Sequence, residues 1–193
     1  MRDLKIILFP LVLALLAGCG RYGSPIAPEA LAPRAVQQLE IVPDISGVRL
    51  SWESPELDQR GRELRMIDAY KVYRAVVTES TQVLNDSSLD YELLTVVEDR
   101  HLAELERLRS EAEKQGRSAR KIQRDKAASQ FSYLDSNVSN DSVYVYKIVP
   151  VNQGDVSGAV NQLIRIRYRT AGSEIRRLTS ESISAEAQDD SED

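Results

Sequence analysis

One cysteine, one histidine, one tryptophan and two phenylalanines in 193 residues leave this chain short of the groups that build most reactive centres. With Cys19 alone there can be no internal disulfide, so burial must hold the fold. The lone His101 has no cysteine partner, and no nucleophile elbow or oxyanion frame stands near it for a serine triad. As a metal ligand it could join only Glu98 or Glu104, short of the usual ligand sets. Carboxylate pairs such as Glu104 with Glu106 have no apolar frame to raise a pKa, and no glycine-rich phosphate loop occurs. The sequence therefore predicts a surface His101, no catalytic residue, no metal, no cofactor and no small-molecule substrate. Positive charge is not in excess either. Against 25 basic side chains stand 30 acidic ones, a net of −5, which argues against nucleic acid as a partner.

Long apolar runs are also missing, since Ile6 to Ala17 spans about 12 residues where a membrane crossing needs about 20. What the N-terminus does have is order: Arg2 and Lys5, then the apolar stretch, then Leu16, Ala17, Gly18 and Cys19. This closely resembles a bacterial lipoprotein signal with its lipobox. The resemblance implies an N-terminal signal helix over 1–18, cleavage between Gly18 and Cys19, a diacylglycerol thioether on Cys19, and acylation of the freed amine by palmitate or a similar chain. Several acyl chains on one residue anchor a protein stably to a membrane. Gly20 stands where an inner-membrane retention signal has Asp, which favours the outer membrane of a cell envelope, facing the periplasm. Residues 19–33, with Pro25, Pro28 and Pro33, read as a semi-extended leash of roughly 40 Å. Cys19, Gly20, Arg21, Tyr22 and Gly23 also resemble the opening of small lipoproteins that help mature the lipopolysaccharide translocon, with Tyr22 in place of Lys and Ser24 in place of Pro.

From Arg34 onward apolar residues alternate with period two, the mark of half-buried strands. Leu39 and Ile41 lie on one strand, and Val48, Leu50 and Trp52 on the next after a turn at Asp44 to Gly47. Ala69 to Ala75, Tyr91 to Val97, Val143 to Asn152 and Val160 to Arg169 continue the pattern, with a turn at Gln153, Gly154 and Asp155. Many short strands without alternating helices predict an all-β sandwich. The runs Val48–Trp52, Tyr70–Arg74, Tyr133–Asp135 and Tyr144–Ile148, followed by Asn152, Gly154 and Ser157, resemble a fibronectin type III domain over 34–170. The resemblance implies a seven-stranded, immunoglobulin-like sandwich with Trp52 in the core from strand B and Tyr144 as the tyrosine corner of strand F. Pro150, where the family has a small residue, predicts a bulge or strand end.

Residues 101–130 interrupt the β pattern as a helical insertion, a helix or helical hairpin, with Leu102, Leu105, Leu108 and Ala112 at helical spacing and Gly116 and Ser118 as breakers. Packing on the sandwich is the simplest cover for that stripe, and another protein is the alternative. Its second half holds Lys114, Arg117, Arg120, Lys121, Arg124 and Lys126 against Asp125, read first as a solvated face and second as a recognition element. If Ile164, Ile166 and Tyr168 point inward, Arg165, Arg167 and Arg169 line the outer face of strand G. In the family's strand order they would join Lys147 and Lys71 in a basic stripe interleaved with Val145, Val149 and Tyr73, suited to anionic partners or to guarding a sheet edge. Residues 171–193, rich in Ser, Glu and Asp, predict a disordered acidic tail. The expectation for function is a lipid-anchored, non-catalytic binding or adaptor module with an envelope protein partner. The alternatives are an assembly or maturation factor for an outer-membrane machine acting through its lipidated N-terminus, and an accessory subunit of an envelope enzyme.

Overall fold

The computed structural model describes residues 26–78, 88–152 and 154–179. Cys19, the signal stretch 1–18 and residues 180–193 lie outside the described residues. Strands β1 (Gln37–Asp44), β2 (Gly47–Glu53), β3 (Ala69–Val77) and β4 (Glu92–Glu98) precede helix α1 (His101–Lys114), and β5 (Gln130–Asp135), β6 (Val143–Asn152), β7 (Val156–Ser157), β8 (Gln162–Arg167) and β9 (Glu174–Thr179) follow it. They pair antiparallel into one sheet of order β1-β2-β5 and a larger one of order β4-β3-β6-β8-β9, with β7 on β6.

The period-two alternation puts Ile41, Leu50 and Trp52 of the small sheet against Tyr70, Tyr146, Ile148 and Ile166 of the large one in a single core. Trp52 is 2 % exposed and meets Tyr70 edge-on at 5.5 Å between ring centroids. Tyr144 is buried, and its hydroxyl accepts a hydrogen bond from the Ser139 N–H at 2.8 Å, fixing the turn that leads into β6. The β1–β2 turn needs Gly47: at φ 136° it lies so close to β5 that a Cβ would stand 2.1 Å from the Asp135 carbonyl oxygen.

Four expectations change. β6 runs through Pro150 with unbroken register to β3. The ladder from β6 to β8 ends at Tyr146 and that to β7 begins at Val151, so the proline falls between the two, and its carbonyl accepts from the Gly158 N–H. The leash is not wholly free: Pro28–Leu31 forms a 3-10 turn, and Pro33 is buried, its carbonyl accepting from Gln59 Nε2 at 2.6 Å and the Ala159 N–H at 3.2 Å. The insertion is one helix and a return loop with short 3-10 turns at Ala119–Lys121 and Ala127–Ser129. Gly116 at φ 68° ends the helix, with the Gly116 N–H donating to Glu113 O and the Arg117 N–H to Ala112 O. Leu102 and Leu105 join the core, while Leu108 stays exposed. Finally, the start of the segment read as a disordered tail forms β9, which takes up the hydrogen-bonding edge that β8 would otherwise leave open.

Register also decides which ends meet. Glu53 pairs with both Gln37 and Gln130, and Ala69 with both Glu98 and Val151. The starts of β1, β3 and β5 and the ends of β2, β4 and β6 therefore share one pole. Packed there are the leash, the loop 54–68 and both ends of the insertion.

Candidate functional site

All the residues nominated for binding lie on the outer face of the large sheet or its continuation: Lys71 and Tyr73 on β3, Lys147 on β6, Arg165 and Arg167 on β8, and Arg169 just beyond. Alternation along β8 places Ile164 and Ile166 inward and fully buried, with Tyr168 nearly so, and leaves the three arginines outward and half-buried.

The structure divides them into two groups. In the first, Tyr73 and Lys147 are cross-strand partners, and the Lys147 ammonium lies 3.8 Å from the centroid of Tyr91 and 5.5 Å from that of Tyr73. The two rings meet edge to face at 6.5 Å. An ammonium held between aromatic rings gains from both quadrupoles. Lys71 Nζ stands 2.6 Å from Asp155 Oδ1, a hydrogen bond that holds its pKa above the usual lysine value.

In the second group, Arg167 and Arg169 are neutralised within the chain. Arg167 Nε and Arg169 Nε each lie 3.0 Å from Asp141 Oδ1, and Arg169 reaches Glu174 on β9 at 2.9 Å. Arg165 donates to the Thr78 carbonyl at 3.2 Å. The Arg169 hydrogen bond and the Arg167 charge hold the Asp141 carboxyl below its ordinary range. Asp141 presents that carboxylate from a left-handed turn at φ 64°. These arginines tie the β6 approach and β9 to the sheet, and they are not at a sheet edge.

Between the groups, Val145 is fully buried with Ala75 and Leu163, and Val149 is buried with Ala69 and Val151. The two valines expected in an exposed stripe are thus interior. β6 is central, and Leu89, Tyr91 and Val160 roof its outer face. Sequence reasoning missed Tyr91, Leu93 and Val96. Leu93 is the cross-strand partner of Tyr73 and Val96 of Lys71, and both are nearly half exposed on β4, which pairs with β3 alone among the described residues. The signal was apolar residues at both parities in Glu92–Glu98, which marks a strand apolar on each face.

His101 is not at the surface. Its side chain is 4 % exposed, with Nδ1 2.5 Å from Asp99 Oδ1, while Asp99 Oδ2 accepts from the Tyr70 hydroxyl. Asp99 also accepts from the His101 N–H and so sets the first turn of α1, which places the imidazole against Phe131 at the junction of helix and sandwich. Among the described residues, no group of three or more His, Cys, Asp or Glu side chains could hold a metal ion.

No family model matches this chain, and no curated protein matches it. Among solved structures, it is similar to the third fibronectin III domain of the human KIAA0343 protein, with 11% identity and a TM-score of 0.40 over 79% of this chain and 96% of that one. It is also similar to the twitchin kinase region from C. elegans, with 10% identity and a TM-score of 0.42 over 72% of this chain, spanning 17% of that one.

Proposed function

We propose that this chain is a lipid-anchored, non-catalytic adaptor of the bacterial envelope, held at the periplasmic side of an outer membrane and presenting a fibronectin type III-like sandwich to another envelope protein. The observation that carries the reading is the order of basic, apolar and small residues that ends in Cys19. Supporting the domain type are the facing sheets β1-β2-β5 and β4-β3-β6-β8, with Trp52 between them and Tyr144 fixing its turn. The surface assigned to the partner is the open side of the large sheet around Tyr73, Tyr91, Leu93, Val96 and Lys147. There, aromatic and aliphatic groups frame one cation, the mixture that protein interfaces favour. Arg167 and Arg169 are ion-paired within the chain to Asp141 instead, and Arg165 is bonded to the Thr78 carbonyl.

A photoreactive residue at position 93, in cells labelled with palmitate, tests the whole reading. The expected result is a labelled chain in the membrane fraction with a discrete crosslinked product, and Cys19→Ala removing both label and partitioning. An unlabelled wild-type chain refutes the anchor, and background crosslinking at 93 beside strong crosslinking from position 165 refutes the surface.

A further inference from the structure

The chain is acidic overall, and many of its cations pair with nearby carboxylates: Arg60 with Asp58, Lys71 with Asp155, Arg74 with Asp135, Arg107 with Glu104 and Glu111, Arg169 with Asp141 and Glu174. The return loop of the insertion breaks that pattern. Among the described residues, none of Lys114, Arg117, Arg120, Lys121, Arg124 and Lys126 has a carboxylate within ion-pair distance, and all but Arg124 are exposed. A loop that only needed solubility could have used either sign, as the rest of this acidic surface does.

The loop's place in the fold gives that charge a direction. α1 starts at the pole where the chain enters the sandwich, and the loop after its last turn returns there: the Ile122 carbonyl accepts from Arg109 Nε at 3.3 Å, Ile122 packs against the core, and the Ser129 carbonyl, next to the start of β5, accepts from the Ser54 N–H at 2.9 Å. Loop 54–68 joins the two: the Arg34 N–H donates to Leu57 O, the Gln59 N–H to Ala32 O, and Arg109 of α1 lies 4.0 Å from Glu63. Because the leash is packed from Pro28 onward, only the residues between Cys19 and Pro28 separate an anchor from this pole, a reach of about 30 Å at full extension. The pole nearest an anchoring membrane is the one to which this cluster of six cations, without an ion-pair partner among the described residues, returns.

We infer that the loop 114–126 is an electrostatic contact for an anionic lipid surface, which holds the sandwich with its leash pole toward the membrane and its β4 side accessible. The inference rests on the anchored reading for its geometry. Basic residues near a negative leaflet are drawn to it, an attraction that falls off over a Debye length and weakens as salt is added.

The test uses the full lipidated chain carrying Ser118→Cys, where acylation of Cys19 leaves one free thiol for an environment-sensitive fluorophore. It is reconstituted on phosphatidylcholine vesicles with and without phosphatidylglycerol, each doped with a headgroup-region quencher lipid. Quenching about fivefold stronger on the anionic vesicles is expected, lost in about 1 M salt and lost in Arg117→Glu/Arg120→Glu/Lys121→Glu and in the matching Gln variant. Equal quenching on both vesicles overturns the inference, as does quenching that survives charge reversal. So does a fluorophore that responds only to an added acidic polypeptide, which would make the loop a protein-docking element. Mass spectrometry of Cys19 keeps the two readings apart. Should it be unmodified, the anchor falls, and salt-sensitive flotation on anionic vesicles that charge reversal abolishes still supports the lipid contact, while its absence overturns it.

Discussion

Arg74 shows how much one buried charge can organise. Its side chain is 7 % exposed, and it donates to Asp135 Oδ2 at 2.8 Å and to the Asn137 carbonyl at 2.7 Å, while Tyr146 donates its hydroxyl to the same Asp135 oxygen. Burial alone would lower the guanidinium pKa, and the Asp135 charge together with the hydrogen bonds to Asp135 and Glu92 more than offsets this, so Arg74 stays charged. Removing it leaves a carboxylate buried without its cation, so Arg74→Ala should lower unfolding stability by about 3–5 kcal/mol in a urea titration. Asp141 acts at the surface and is read through pH. Its folded pKa lies below the ordinary value, so the stabilisation it gives is present above the unfolded pKa near about 4 and disappears as pH falls through the folded pKa. Asp141→Asn should therefore melt below the wild type at neutral pH and together with it in strong acid, as thermal scans at the two pH values would report.

At the scale of elements, β9 and α1 are the additions to a plain sandwich. The alternation of β8 and the helical spacing of α1 were legible in the residues, because each element has a buried side that fixes its period. β9 was not, because Ile175, Arg176 and Arg177 are exposed and its strand character comes from the ladder to β8. A chain stopped after Gly172 should consequently keep its core but lose thermal stability and associate through the uncovered β8 edge, visible as light scattering that the full chain lacks. α1 ends where Gly116 allows a left-handed residue, so the helical pattern stopped short of 130 for a local reason.

At the scale of the molecule, the antiparallel register gathers the leash, the insertion and loop 54–68 at one pole and the Arg74–Asp135 network near the other. Those two ends do different work. At the far end the buried Arg74 is neutralised by Asp135. The leash end carries the positive charge that no neighbouring carboxylate matches, and the β4 side of the large sheet carries exposed apolar groups. Under the proposed anchoring, this arrangement keeps the β4 side clear of the lipid.

The sequence by itself determined the core strands other than β9, the buried Trp52 and Tyr144 and the inward set of β8, because a period-two pattern with one apolar face permits only one orientation of each strand. Local chemistry reaches no further than that. Only the tertiary structure decided that Arg167 and Arg169 share Asp141, that Val145 lies under a roof, that His101 is interior, and that the basic loop returns to the pole where the leash is packed. Each of these depends on partners brought together by sheet register from far apart in the chain, and no spacing along the chain encodes them.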